Sequence, residues 1–278
     1  MSDPLKAGAT IGILGGGQLG RMLAVAAARL GLRCHIYEPA ANPPAADIAH
    51  TTTAAYDDAE ALRAFAASVD VITYEFENIP TAALDLLESL REVRPNRRAL
   101  ATSQDRMLEK DYLTSLGLHC APYALVTSLE TLQAAVAKIG LPAILKTTRL
   151  GYDGKGQSRL KTPDDIAPAW AAMNNATCVL EGFIPFTHEV SVIAARGLDG
   201  SVACYDPGQN VHRDGILHTT TLPAKLTPSQ RTDAVLMAAK VLPRTWGTPG
   251  HPRRRYRAPR FIPTHVGNTS PARPRATR

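Results

Sequence analysis

Residues 143–158 have the sequence AILKTTRLGYDGKGQS, and this stretch decides the fold. The apolar run at its start predicts a buried strand that ends at Lys146. The loop that follows contains Gly151, Gly154 and Gly156. Glycine lets backbone N–H groups approach an anion, and Lys146 and Lys155 add positive charge. The pattern fits a mobile lid over a nucleotide triphosphate and fits equally well a glycine-rich hairpin turn without a ligand.

Length and composition predict a globular protein of about two domains, with 278 residues of which 45% are hydrophobic. No secretory signal and no apolar stretch of membrane-spanning length is present in the sequence. The four cysteines are widely spaced and form no C-x-x-C motif, which argues against a zinc site or a disulfide framework. We therefore expect free thiols in a cytoplasmic protein that spans no membrane.

The net charge of +6 is concentrated at one end of the chain. Residues 243–278 hold nine arginines and seven prolines but no Asp, Glu or Lys, whereas residues 1–242 carry 22 Lys and Arg against 25 Asp and Glu. This composition predicts a disordered basic tail at 243–278. A non-native, frameshifted end is favoured over a nucleic-acid-binding arm, so we expect no nucleic-acid partner.

The first 40 residues predict a strand, a glycine loop, a helix and a second strand. The strands are expected at Ala9–Leu14 and Leu32–Tyr37, and the helix at Arg21–Leu30. The loop between them, residues 15–20, matches G-x-G-x-x-G, and Glu38 follows the second strand. This is a dinucleotide fingerprint, so an NAD(P)-binding Rossmann protein is one hypothesis. The same turn also occurs in folds that bind other phosphates or none.

A third strand, parallel to the others, is predicted at Val69–Tyr74. Glu75 follows it directly, with Glu77 and Asn78 close behind. Loops at the carboxyl ends of strands in open α/β sheets bind ligands, but a solvated loop before the next helix is equally compatible.

Residues 105–139 predict a helix at Asp105–Leu116, a strand at Ala121–Val126 and a further helix ending at Ile139. Arg106 and Lys110 share a face of the first helix, where they are either solvated or functional. A capping box of Thr127 and Glu130 is expected to start the second helix.

The stretch that begins at Glu181 follows another predicted strand, Thr177–Leu180. An acid beside Phe183 and Ile184 suits a ribose and a base, although a core segment with a solvated acid fits equally well. Beyond it, the sequence predicts a strand at His188–Ala195 that forms a hairpin with Ser201–Tyr205.

Two further features complete the prediction for the chain up to residue 242. Residues 211–215 predict a polar turn, in which His212 is more often structural than a ligand contact. A helix is expected from the capping box Thr227–Gln230 to Val241.

Five motifs together carry a resemblance to a known family. They are GILGGGQLGRM at 12–22, TYEFENI at 73–79, GYDGKGQ at 151–157, EVS at 189–191 and HRDGIL at 212–217. On these motifs the chain resembles the N5-carboxyaminoimidazole ribonucleotide synthases, which are ATP-grasp ligases of purine biosynthesis. The resemblance covers about residues 9–242. It implies an α/β chain with an open parallel-sheet, Rossmann-like pre-ATP-grasp domain followed by an ATP-grasp domain.

The resemblance also implies a reaction and its partners. In the family, ATP phosphorylates bicarbonate to carboxyphosphate, and the amine of 5-aminoimidazole ribonucleotide takes the carboxyl group. By similarity, catalysis involves Lys146 and Lys155, and the ribonucleotide contacts Glu75, Tyr152 and Lys155. The ATP contacts implied are Arg106, Lys146, Gly151, Tyr152, Asp153, Gly154, Lys155, Gly156, Gln157, Glu181, Gly182, Phe183, Ile184, Glu189 and His212. The resemblance further implies a homodimer.

One departure from the family pattern concerns magnesium. In the family, the acidic magnesium ligands lie beyond the position of residue 242, where this chain has no acid. We therefore expect Mg²⁺ to lack its ligands here, the ATP-grasp domain to be incomplete at its C-terminus, and an inactive ATP-binding fragment to be an alternative to an active ligase. The expected domains are 1–100 (pre-ATP-grasp), 101–183 (small subdomain with the lid), 184–242 (partial C-terminal subdomain) and 243–278 (tail).

Overall fold

A computed structural model describes residues 5–149, 151, 156–197, 199–213 and 216–242. Within these ranges the chain divides into two compact units. The first holds residues 5–104 together with 195–202 and Leu242, and the second holds 105–194 and 203–241. The predicted tail and the lid residues 152–155 lie outside the described residues, and the predicted division at 100, 183 and 242 stays a prediction.

The first unit is built on a four-stranded parallel sheet with the order β3-β2-β1-β4. Its elements are β1 (Thr10–Leu14), α1 (Gln18–Arg29), β2 (Arg33–Tyr37), β3 (His50–Thr52), α2 (Ala59–Ala67), β4 (Val71–Tyr74), α3 (Thr81–Leu90) and α4 (Arg97–Gln104). The predicted parallel strands are confirmed. The sequence pattern predicts neither the short β3 nor α4.

The order of the strands creates a crevice at one edge of this sheet. The chain passes from β1 to β2 on one side and later returns to β4 on the other side of β1. The carboxyl ends of β1 and β4 therefore form a topological switch point, where open α/β sheets bind their ligands. Gly15 follows β1 and Glu75 follows β4, so the topology brings these two predicted features together.

The first unit is held by an apolar cluster beneath the sheet. Its members include Tyr37, Leu62, Phe65, Ile72 and Leu84, each at most 1% exposed. Burying each such side chain stabilises the fold by about 1.5–3 kcal/mol relative to leaving it exposed.

The second unit contains a four-stranded antiparallel sheet with the order β5-β8-β6-β7. Its elements are α5 (Arg106–Ser115), β5 (Tyr123–Val126), α6 (Leu129–Ile139), β6 (Ala143–Thr147), β7 (Gln157–Leu160), α7 (Ile166–Ala172), β8 (Cys178–Gly182), β9 (Glu189–Ser191), β10 (Ala194–Arg196), β11 (Val202–Cys204), β12 (Gly208–Arg213), β13 (Ile216–Thr221) and α8 (Pro228–Val241), of which β10 and β11 lie partly in the first unit. Leu132 of α6, Leu145 of β6 and Leu180 of β8 are buried together in its core. The predicted α/β fold class, with an open parallel sheet in the first part of the chain, is confirmed.

The helix starts follow local capping chemistry. The side chain of Asp58 accepts from the N–H groups of Glu60 and Ala61, and Asp105 caps α5 in the same way. The capping box of Thr227 and Gln230 is also confirmed, at 3.0 and 3.3 Å. The box predicted for α6 is wrong by one residue: because Ser128 is the extended residue, it pairs with Thr131.

Two strand predictions are wrong in the second unit. Residues 188–195 form two strands, because β9 pairs with β12 whereas β10 pairs with β11. Residues 211–213, predicted to lie in a turn, belong to β12, which pairs with β13 through a bulge at Val211 and His212. These residues therefore sit in a three-stranded antiparallel sheet with the order β13-β12-β9.

Candidate functional site

The predicted lid connects β6 to β7, and the antiparallel pairing of these two strands holds its two ends together at its root. Lys146 lies opposite Gln157 in the register, and the N–H of Thr147 donates to the carbonyl of Gly156 at 2.8 Å. Gly156 has a φ of +66°, and a Cβ there would lie 2.7 Å from Thr147 Oγ1 and 3.7 Å from the Cα of Gly151. Only glycine fits this turn without strain, so the two ends of the loop are held together.

Two lysines converge on one carboxylate beside this root. Lys146 Nζ lies 3.0 Å from Glu181 Oε2, and Lys110 Nζ lies 3.2 Å from Glu181 Oε1. The exposed fractions of the three side chains are 20%, 14% and 12% for Lys146, Lys110 and Glu181. The group carries one net positive charge in a half-buried place, which favours an anion.

Strand register and one helix create this cluster. In the β6–β8 pair, Ile144 lies opposite Glu181 and Lys146 opposite Val179, so Lys146 and Glu181 are diagonal neighbours on one face. Lys110 comes from α5. Burial raises the pKa of Glu181, but the ammonium groups of Lys146 and Lys110 outweigh it and hold that pKa below its usual range.

Arg106 and Glu109 extend the charged region along α5. The guanidinium of Arg106 donates to the carbonyl of Gly151 at 3.4 Å, and its backbone N–H donates to Thr148 at 2.9 Å. Burial raises the pKa of Glu109, against the lowering effects of Lys110 and Arg106. The structure thus places Arg106 against Gly151 and Lys146 against Glu181.

The segment after β8 is fixed through its backbone. The N–H of Gly182 donates to Pro122 at 2.8 Å and that of Phe183 to Pro142 at 3.0 Å. The guanidinium of Arg159 lies 4.5 Å from the centre of the Phe183 ring, a cation–π distance. Phe183 and Ile184 are both partly exposed, which suits an apolar wall for a base.

A second group of predicted residues meets on β9 and β12. Glu189 Oε1 lies 3.3 Å from His212 Nδ1 and accepts from the amide of Asn210, also at 3.3 Å. Asn210 is 7% exposed and accepts from the hydroxyls of Ser191 and Thr220. Glu189 and His212 therefore lie within ion-pair distance of each other in the sheet β13-β12-β9.

The crevice of the first unit has the opposite character. The N–H of Gly16 donates to Glu38 at 2.8 Å and that of Gly17 to Glu75 at 3.1 Å. Burial raises the pKa of Glu75, with a further rise from Glu38, while the bond from Gly17 lowers it. A dinucleotide pyrophosphate would need these N–H groups, and the two carboxylates would repel it. The NAD(P) hypothesis is therefore disfavoured.

Sequence reasoning leaves Lys110 and Asn210 out of the site. Lys110 shares a helix face with Arg106 at i, i+4, and that spacing is the signal that marks it. Asn210 has no signal, because only the β12 pairing shows that it is buried under Glu189. Of the predicted residues, Tyr152, Asp153, Gly154 and Lys155 lie outside the described residues, and Gln157 is exposed at the start of β7.

The described residues do not suit a metal ion. Within the ranges that the structure covers, no three His, Cys, Asp or Glu side chains come together in a way that holds a metal. Glu181 is already bound by two ammonium groups and Glu189 by His212 and Asn210. Nor does any helix in these ranges have the length and apolarity to cross a bilayer.

Two family models match the chain, one for each unit. The ribonucleotide synthetase pre-ATP-grasp domain matches residues 8–104, and the ATP-grasp domain matches residues 111–247. Together with the parallel sheet, the antiparallel sheet and the lysine-bearing hairpin, they define an ATP-grasp protein.

Individual relatives narrow this class. An N5-carboxyaminoimidazole ribonucleotide synthase of Brucella melitensis is 52% identical over 241 residues, which are 86% of this chain and 67% of the relative. The chain belongs to the N5-carboxyaminoimidazole ribonucleotide synthase family, and the resemblance drawn from the motifs is confirmed.

Solved structures agree with this assignment. The ADP complex of an N5-carboxyaminoimidazole ribonucleotide synthetase has a TM-score of 0.83 at 39% identity, covering 87% of this chain and 64% of that one. The Aspergillus clavatus synthase in complex with ADP and 5-aminoimidazole ribonucleotide has a TM-score of 0.77 at 28% identity, covering 84% and 62%. The chain thus spans about two thirds of the Brucella relative and slightly less of these two structures.

Proposed function

We propose that this protein binds ATP in its second unit and uses it to carboxylate 5-aminoimidazole ribonucleotide with bicarbonate, giving N5-carboxyaminoimidazole ribonucleotide, ADP and phosphate. The observation that carries the proposal is the Lys146–Glu181–Lys110 cluster at the root of the glycine hairpin. Its net positive charge and its half-buried position are what a polyphosphate requires. Family membership and the ADP-bound relatives support the same nucleotide.

Each part of the second unit has a role in this proposal. When bound, ATP supplies the phosphoryl group that activates bicarbonate. Lys146 and Arg106 neutralise the phosphates and orient them, because phosphoryl transfer depends mainly on positioning and charge stabilisation. Phe183 and Ile184 contact the base, and Glu189 with His212 holds the strand beside them. The β6–β7 hairpin excludes water from a labile acyl phosphate.

Glu75 is proposed to bind the ribonucleotide in the first unit. Its carboxylate is fixed by the N–H of Gly17 at the switch point of the sheet. A carboxylate that faces the exocyclic amine can accept its hydrogen bonds, and the raised pKa of Glu75 suits it to taking up a proton. Tyr152 and Lys155 are proposed as the other contacts. The unpaired cysteines suit the cytoplasm, and a homodimer stays a prediction.

Nucleotide binding without turnover is the second candidate. It is favoured by one observation, that the described residues offer no carboxylate cluster for the divalent ion that ATP-grasp ligases use.

One pair of measurements tests both candidates. Calorimetric titration of the 278-residue chain with AMP-PNP should show 1:1 binding, and ADP release should then be followed with bicarbonate and 5-aminoimidazole ribonucleotide. Release that depends on both substrates supports the ligase. Binding without such release supports the second candidate, and the absence of nucleotide binding rejects both.

A further inference from the structure

Lys110 supplies the second ammonium group of the charge cluster. Its ammonium lies 3.2 Å from Glu181 Oε1, on the opposite oxygen from the one that Lys146 contacts. Lys110 also lies 5.6 Å from the centre of the Tyr123 ring. The hydroxyl of Tyr123 donates to Asp111 at 2.8 Å, which fixes the ring. Lys110 is thus held by contacts that do not involve Lys146.

Nucleotide binding creates a problem that this arrangement solves. Lys146 is the cation proposed to contact the phosphates, and a phosphate would draw its ammonium away from Glu181. A carboxylate that is only 12% exposed would then lose a partner while a polyanion arrives beside it. An unpaired buried charge is strongly destabilising, and like charges repel, so binding would be weak unless another cation stayed in place.

We propose that Lys110 is a positioning residue for nucleotide binding, which keeps Glu181 paired when Lys146 turns to the phosphates. Glu181 exchanges two ammonium partners for one, and its Oε1 contact persists throughout. The pocket then receives a tetra-anionic ligand without an orphaned carboxylate. This inference rests on the proposed function, because it assumes that an ATP phosphate takes the ammonium of Lys146.

A test of this role must distinguish the effect of Lys110 from the effects of the other titratable groups around Glu181. Lys146 faces it from β6, Lys110 and Glu109 lie on α5, and Tyr123 is its neighbour in the register of β5. If Lys110 is removed, binding leaves Glu181 alone and favours its protonation. AMP-PNP affinity should then rise as the pH falls, whereas a purely structural loss would weaken binding equally at every pH.

The experiment measures AMP-PNP binding to the full chain by calorimetry between pH 5.5 and 8. Lys110→Met should weaken binding about tenfold at pH 7.5 and should recover most of it at pH 5.5. Lys110→Arg should restore a flat profile, because it returns the positive charge. Lys138→Met, at an exposed lysine on α6, is the matched control and should bind as the unaltered chain does.

A double variant separates pairing from stability. In Glu181→Gln there is no charge to orphan, so adding Lys110→Met should change the affinity by less than threefold. If Lys110→Met does not fold, Lys110→Gln carries the same pH test, since it also removes the positive charge beside Glu181.

The outcomes distinguish the inference from the proposed function. If the unaltered chain fails to bind AMP-PNP, the proposed function is rejected and the inference with it. If it binds and Lys110→Met binds equally well, or loses affinity without pH dependence, only the inference is rejected.

Discussion

Two loops of this chain follow buried strands and are rich in glycine, yet they have opposite charge. The loop after β1 in the first unit directs its N–H groups at Glu38 and Glu75. The loop after β6 in the second unit begins directly after Thr147, next to Lys146, and Arg106 contacts it at Gly151. Glycine supplies only the backbone shape in both places. The charge comes from side chains at the ends of neighbouring elements, and that charge decides which loop suits a phosphate.

The largest effect on the contrast between the two loops is expected at Lys146, which supplies positive charge beside the second loop. Lys146→Met removes the ammonium nearest the hairpin and should weaken AMP-PNP binding about 100-fold, or roughly 2.7 kcal/mol. Calorimetric titration measures this. Lys161→Met, at an exposed lysine just beyond β7, should change the affinity little. Equal losses in both variants would mean that the cationic cluster does not hold the nucleotide.

Lowering the pH should destabilise the first unit before the second unit. Burial, with a contribution from His50, lowers the pKa of His35 in the first unit to about 4 from 6.5, and its ring nitrogens contact Ser68 and Thr52. The unfolded state binds more protons between these values, so stability falls as the pH drops from 6.5 to 4, by about 2 kcal/mol. The contribution of Glu181, whose pKa is lowered, is lost only as the pH falls below its ordinary range near 4.5.

Peptide-resolved hydrogen exchange from pH 7.5 to 4 measures this order. The first unit should lose protection before the second does. His35→Gln should flatten the pH dependence of the first unit alone. Simultaneous loss in both units, with no effect of the substitution, would contradict the assignment to His35.

Gly156 allows a test of the backbone shape at the base of the β6–β7 hairpin. Gly156→Ala should destabilise the chain by about 1–2 kcal/mol, because φ is positive and the new Cβ would meet Thr147. Gly140→Ala is the matched control: its φ is also positive, at +87°, but nothing lies within 4 Å of the added Cβ. Denaturant unfolding should therefore show a smaller loss for Gly140→Ala. Equal losses would mean that backbone strain alone is measured.

The smallest effect is expected at the contact between Arg159 and the Phe183 ring. Arg159→Ala removes the cation above Phe183 and should weaken AMP-PNP binding by about 0.5–1 kcal/mol, a few-fold change. Arg159→Lys should recover part of it. An unchanged affinity in Arg159→Ala would mean that the ring needs no support from this cation.

Much of the first unit could be predicted from sequence because its signals are local. The strands β1 and β4 are short and mostly apolar, and Asp58 caps the start of α2. The glycine at position 20 is explained by packing, since a Cβ there would lie 2.6 Å from the carbonyl of Gly15. The short β3, by contrast, has no local pattern and depends on its pairing with β2.

The candidate site was less accessible to prediction because its decisive contacts are distant in sequence. Lys110 and Glu181 are far apart along the chain, and nothing local to either lysine indicates that both ammonium groups share one carboxylate. The polar residues around His212 predict a turn, yet pairing with β13 places Val211–Arg213 in a strand. Partners of this kind override local composition.

The register of β6 against β8 has a consequence for how this pocket can vary. Ile144 faces Glu181, and Lys146 lies one diagonal step away on the same side of the sheet. Shifting a strand by a single position moves all of its side chains to the opposite face, so one inserted or deleted residue within β6 would send the ammonium into the core and leave the carboxylate behind. The pocket should therefore tolerate many exchanges of residue type in this segment while its length stays fixed.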